Sequence, residues 1–335
     1  MSRKRSIFFT LLCLTAMAIL ISACSSGNSN SGSSAPSEKS ETKSPGNSDN
    51  NYRIGLVMKT LSNPFFITME KGARKAEAEF GIKLDAQAGQ EETSIEQQIA
   101  IIEDMISKKM DAIVVAPGGS KEIVPVLKKA QEAGVMLINI DNRIDKAAAD
   151  KAGLNPIPYV GASNMDGGYL AGKYLAEKLG GKGKVAIIEG IQGVDNAEQR
   201  KAGALKAFKE FSGIEVVASQ SANWKTEEGL NVMANILQSN PELTGVFCAN
   251  DMMALGAVQA IESAGKTGIV LVAAYDALEE AKQYIKDGKM ISTIDQKPDD
   301  VGYYGVKFAI DALNGKEVPA EHMVDLVNIT KDIVN

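Results

Sequence analysis

Short apolar runs alternate with amphipathic stretches from residue 53 almost to the C-terminus, and this rhythm constrains the fold more than any other feature. "RIGLVM" (53–58), "IKLDAQ" (82–87), "DAIVVA" (111–116) and "VMLINI" (135–140) come first. After "YVGA" (159–162) the rhythm restarts with "KVAIIE" (184–189), "IEVVAS" (214–219), "GVFCA" (245–249), "IVLVAA" (269–274) and "MISTI" (290–294). Most of these runs are continuous rather than alternating, which suits strands buried on both faces of a parallel sheet. The stretches between them carry helical periodicity. Over 64–80, Met69, Ala73, Ala76 and Phe80 fall on one stripe at a 3.6-residue period. The pattern predicts an α/β chain of two doubly wound units with four or five parallel strands each, changing over near residues 161–163.

The N-terminal segment stands outside this rhythm. Arg3, Lys4 and Arg5 precede an apolar run over 7–21, shorter than the about 20 residues a membrane span needs, so residues 1–23 read as a signal peptide. "ISAC" (21–24) resembles the lipobox of bacterial lipoproteins. That resemblance implies cleavage before Cys24 and a diacylglycerol on its sulfur, hence an extracytoplasmic protein held to the cell membrane by lipid alone. Residues 24–51 are rich in Ser, Gly, Asn and Pro and cannot bury enough surface to offset their ordering entropy. They are expected to form a flexible tether reaching roughly 30 Å.

Charge and residue usage exclude several functions. The chain carries a net charge of −6, more acidic still without the three cations of the signal, and an acidic surface repels nucleic acid. One histidine and three cysteines, with only Cys248 left for the folded part, motivate no disulfide framework, no metal site and no Ser-His or Cys-His nucleophile. Cys248, inside a strand pattern, reads as a buried inert thiol, and His322 in "EVPAEHM" as a solvated loop residue. "GLNPIPYVGAS" and "GGKGKV" lack both the dinucleotide and the P-loop patterns. No catalytic residues and no cofactor are expected.

Ligands of doubly wound sheets bind beyond the carboxyl ends of the strands. Read in order, those ends offer Asn63 with Phe65 and Phe66, then Asp141, Asn142 and Arg143, then Asn164. The second unit adds Arg200, Trp224, Asn250, Asp276 and Gln296. Carboxylates and amides serve vicinal hydroxyls, a guanidinium donates in a fork, and flat rings cover the C–H faces of a sugar. Each residue also has a plainer use. Asn63-Pro64 suits a helix N-terminus on its own account. Phe65 and Phe66 flank the core stripe of their helix, so periodicity does not separate core from ligand wall. Asp141 and Asp276 suit turns, Asp251 suits the N-cap of the following helix, and Arg200 suits a surface pair with Glu198 or Asp195.

"TLSNPFF", "INIDNR", "ASNMDGG", "ASQSANW", "CANDMMALGA" and "STIDQKPDDVG", in this order, resemble the ribose-binding proteins, the solute-binding components of sugar ABC transporters. The resemblance implies two flavodoxin-like lobes joined by three hinge strands, here residues 52–162 plus 297–323 and residues 163–296 plus 324–335. It also implies a monomer that closes on a monosaccharide or polyol and delivers it to permease subunits; a sugar or autoinducer-like sensor is the alternative. The family's stacking aromatics fall on Phe65, Phe66 and Trp224. Its polar contacts fall on Asn63, Asp141, Asn164, Arg200, Asn250, Asp276 and Gln296. The chain departs from the ribose-binder pattern where Asn142 replaces an arginine (Arg143 following it), where Thr226 replaces a second arginine, and where Ala116 replaces an asparagine. Losing two guanidinium groups keeps the sugar and puts ribose itself in doubt.

Overall fold

The computed structural model describes residues 52–334; the expected signal, Cys24 and the tether up to residue 51 lie outside the described residues. Within them the apolar runs form two separate sheets. The first sheet holds β1 (Arg53–Thr60), β2 (Lys83–Gly89), β3 (Ala112–Val115), β4 (Met136–Ile140), β5 (Tyr159–Gly161) and β11 (Glu321–Met323). The second holds β6 (Lys182–Glu189), β7 (Gly213–Ser221), β8 (Leu243–Cys248), β9 (Leu271–Tyr275), β10 (Ser292–Asp295) and β12 (Val327–Thr330). Their spatial orders, β2-β1-β3-β4-β5-β11 and β7-β6-β8-β9-β10-β12, repeat one flavodoxin-like winding. All pairings are parallel except that of β12 with β10. The expected fold class is the one observed.

The continuity of the apolar runs has a visible cause. In β1, Ile54, Leu56 and Met58 join one buried cluster and Val57 another; in β3, Ala112 and Val114 oppose Ile113 and Val115. Alternate side chains thus enter different cores, and no position is left for a polar residue until the strand ends. One core lies under α1 (Pro64–Phe80) and α10 (Pro298–Leu313), through Met69, Ala73, Ala76, Val306 and Ala309. The other lies under α2 (Ile95–Ser107) and α3 (Val124–Glu132), through Ile102, Met105, Leu127 and Ala130. The chain passes between the sheets three times: from β5 into α5 (Asn164–Lys178), from β10 into α10, and from β11 to β12.

Two short strands escape the apolar reading. β11 and β12 carry polar residues and exist through their pairings with β5 and β10. His322 is therefore a half-buried strand residue rather than a solvated loop residue. Its ring sits 4.3 Å from that of Tyr304 and 5.4 Å from that of Phe308. Cys248 is buried as expected, and burial pushes its thiol pKa up, away from reactivity.

Helices meet through glycine. A Cβ on Gly72 of α1 would lie 1.8 Å from the Asp299 carbonyl oxygen of α10, and one on Gly302 would lie 2.0 Å from that of Met69. The same reciprocal contact joins Gly168 of α5 to the Arg200 carbonyl of α6 (Asp195–Phe208), and Gly203 of α6 to that of Met165. We predict that Gly302→Ala, which forces two backbones apart, lowers stability by about 1–3 kcal/mol in urea unfolding; an unchanged midpoint would contradict this packing.

Candidate ligand-binding site

The carboxyl edges of the two sheets face each other across a narrow cavity lined mostly by polar side chains. The first sheet supplies a buried ion pair. Lys59 Nζ, at the end of β1, lies 2.9 Å from Asp141 Oδ2 beyond β4, with both side chains almost wholly out of water. Asp141 adopts φ 63°, a conformation aspartate tolerates better than most residues. Two bonds hold it there: its N–H donates to Val160 O (3.0 Å), and the Tyr159 hydroxyl donates to its carbonyl (2.7 Å).

Asn63 serves helix and site together. Its Oδ1 accepts from Phe65 N at 3.0 Å, capping α1, while its Nδ2 donates to Glu92 Oε1 at 2.9 Å. Burial raises the Glu92 pKa above the ordinary carboxylate range, against the opposing effects of Lys59 and Asn63. Phe65 and Phe66 stand edge to face, 5.1 Å between centroids. Both rings belong to the buried core and both line the cavity, so the two readings of these residues coincide.

The second sheet supplies Arg200 and Asp276. Arg200 is 3% exposed, held by Asn164 Oδ1 (2.8 Å from Nε) and Ala249 O (2.9 Å from Nη1), with its guanidinium 3.7 Å above the Tyr275 ring. The surface pairing with Glu198 or Asp195 does not occur: Glu198 pairs with Lys201, and Asp195 accepts from Gln199. Asp276, at φ 116°, accepts from Gln296 Nε2 at 2.8 Å and lies 3.5 Å from Arg200. Burial outweighs that cation and lifts its pKa from an ordinary 3.8 to about 7.

Trp224, the sole tryptophan of the chain, sits at φ 67° with its indole against Gly190, where a Cβ would come within 2.0 Å of the ring. Asn250 caps α8 (Asp251–Ser263), accepting from Met253 N at 2.9 Å. The cap is thus Asn250, not Asp251. Asp251 is buried and accepts from Leu278 N (2.8 Å) and Thr293 Oγ1 (2.7 Å), tying α8 to β10.

Of the residues expected at the site, nine line the cavity: Asn63, Phe65, Phe66, Asp141, Arg200, Trp224, Asn250, Asp276 and Gln296. Three stand outside the lining. Asn164 holds Arg200. Asn142 donates to Pro117 O and Ser120 Oγ and accepts from Asn196 N. Arg143 pairs with Glu321 at 2.8 Å and covers the Tyr159 ring at 3.8 Å. Three further residues line the cavity without having been singled out from the sequence: Lys59, Glu92 and Asn196. For Lys59 a signal existed, since a lysine directly after five apolar residues in a doubly buried strand must find a partner. Among the described residues no His, Cys, Asp and Glu group could hold a metal ion.

The periplasmic binding protein domain profile matches residues 54–317. The chain is 41% identical to the D-ribose/D-allose-binding protein of Pseudomonas aeruginosa, over 79% of this chain and 83% of that one. It is 38% identical to the D-allose-binding periplasmic protein of Escherichia coli, over 82% and 91%. A solved solute-binding protein of an ABC transporter from Actinobacillus succinogenes, with bound D-allose, superposes with a TM-score of 0.80 at 48% identity, covering 84% of this chain and 98% of that one.

A buried carboxyl whose pKa rises on folding binds its proton more tightly in the folded state. Its contribution is complete below about 3.8 and is lost as pH rises through about 7. Asp276→Asn removes that loss. In the ligand-free protein the melting temperature of Asp276→Asn relative to wild type should therefore climb between about pH 4 and pH 8; a flat difference would contradict the raised pKa.

Proposed function

The chain belongs to the periplasmic binding protein family, and from that premise we propose that it captures D-allose, or an aldose of closely similar shape, outside the cytoplasm and delivers it to an ABC permease. It binds and releases its ligand without transforming it. The observation that carries the reading is the cavity lining: rings of Phe65, Phe66 and Trp224 with two buried ion pairs and the four side-chain amides of Asn63, Asn196, Asn250 and Gln296. Aromatic walls suit the C–H faces of a ring, and the polar groups satisfy hydroxyls that leave water.

Relatives named for D-allose and for D-ribose support an aldose. The cation pattern favours the former. Where ribose binders carry two arginines, this chain has Asn142 and Thr226, and the cation beside Asp141 is Lys59. An ammonium offers three donors on one point charge; with one spent on Asp141, the others serve hydroxyls at angles a planar guanidinium does not reach.

In the proposed mechanism, residues 52–162 with 297–323 close against residues 163–296 with 324–335. The sugar bridges Lys59, Asp141 and Asn63 on one side and Arg200, Asp276 and Gln296 on the other, so binding favours the closed form. A diacylglycerol on Cys24 would keep the monomeric binder beside its permease, with residues 25–51 as the tether.

A thermal-shift panel of D-allose, D-ribose, D-arabinose and myo-inositol tests the reading. D-allose should raise the melting temperature most, since ligand at 100 times its Kd stabilises by about 2.7 kcal/mol, and should change the fluorescence of Trp224. No shift with any sugar would overturn the proposal. Asp141→Asn, which keeps the strained φ accessible, should weaken D-allose binding about tenfold to a few hundredfold, since it replaces a charge-assisted hydrogen bond worth about 1.5–3 kcal/mol; unchanged calorimetric affinity would remove Asp141 from the site.

A further inference from the structure

Helix α6 begins without a cap of its own. Val194, the residue before it, has no side-chain acceptor to offer. Its first two amides are capped instead by the opposite sheet: Asp195 N donates to Ser120 Oγ (3.0 Å), in the loop after β3, and Asn196 N donates to Asn142 Oδ1 (3.2 Å), in the loop after β4. Asn142 is itself fully buried and fixed by Pro117 O and Ser120 Oγ. These bonds cross from one unit to the other, so they exist only while the two are together.

The side chain of the residue so held has unfinished chemistry. Asn196 is 3% exposed and lines the sugar cavity, and its Oδ1 is buried with no hydrogen-bond partner. A buried amide oxygen left unpaired is unfavourable until a donor reaches it. A hydroxyl of the bound sugar is a donor of the right kind in the right place.

We propose that Asn196 is a specificity-determining residue that reads one hydroxyl of the ligand, and that Asn142, bonded to the Asn196 backbone rather than to its side-chain amide, holds the lobes closed over it. This deepens the proposed function and rests on it. Hydroxyl recognition and closure are then one event. A sugar lacking that hydroxyl leaves Oδ1 unpaired in the closed state, and the cost appears as lost affinity rather than as a lost contact elsewhere. Asn142, which does not line the cavity, acts on every ligand equally, because it stabilises the closed form whatever the sugar presents.

Calorimetry of wild type, Asn196→Ala, Asn196→Ser and Asn142→Ala with D-allose and its singly deoxygenated derivatives separates these roles, with sugar-free melts verifying that each variant is folded. Wild type should bind one monodeoxy derivative about tenfold more weakly than D-allose, and Asn196→Ala should bind the two alike. Asn142→Ala should weaken D-allose and every derivative by one common factor. Asn196 variants that keep wild-type affinity, or that lose it equally for all sugars with the discrimination intact, would overturn this inference alone. Absence of any D-allose binding by wild type would overturn the proposed function and this inference with it.

Discussion

Two ion pairs held out of water, Lys59 with Asp141 and Arg200 with Asp276, govern what the rest of this structure must do. Removing a charge from water costs several kcal/mol even after relaxation, and a single partner rarely offsets it. Each pair therefore draws in further polar groups. Asn164, Ala249 and Gln296 complete the second pair, and both partners of the first line the cavity. The site is polar because each buried pair calls for further polar partners, the need that the proposed sugar would meet. The apolar cores behind the sheets are what allow this concentration of charge at their edges.

The two halves repeat one device. Asp141 follows β4 and Asp276 follows β9, the corresponding strands of the two windings. Both take positive φ, and both donate their N–H to the next strand, at Val160 O and Ile294 O. The strained turn aims each carboxylate over the sheet edge instead of along the strand. The halves then diverge at the cation: a lysine from the end of a strand in one, an arginine from a helix in the other. Recognition is asymmetric on a symmetric frame.

Much of the frame was legible in the sequence. Doubly buried strands leave continuous apolar runs, and α1 spans Pro64–Phe80, the stretch its periodicity marked. β11 and β12 were not legible, because a three- or four-residue polar strand is made by its neighbour rather than by its own composition. At the site, residue types at strand ends pointed to Asp141, Asp276 and Gln296, whereas the roles of Asn63, Phe65 and Arg200 rested on the family resemblance. Asn63 shows why: capping and lining are done by different atoms of one amide. Lys59 was missed although its place at the end of a doubly buried apolar run marked it. Glu92 and Asn196 escaped because a glutamate in a loop and an asparagine at a helix start are ordinary on a surface, and only the tertiary fold removes them from water.

The glycine contact between α5 and α6 has a consequence for how such a protein can change its ligand. Because the Gly168 and Gly203 approaches are backbone against backbone, the distance between Asn164 and Arg200 is set by peptide units and not by side chains that repack. The arginine is carried on a jig that tolerates no added atom. The side chains of Asn196 and Trp224 line the cavity without entering that backbone contact. A change of a cavity side chain that spares these glycines leaves the guanidinium where the two backbones hold it.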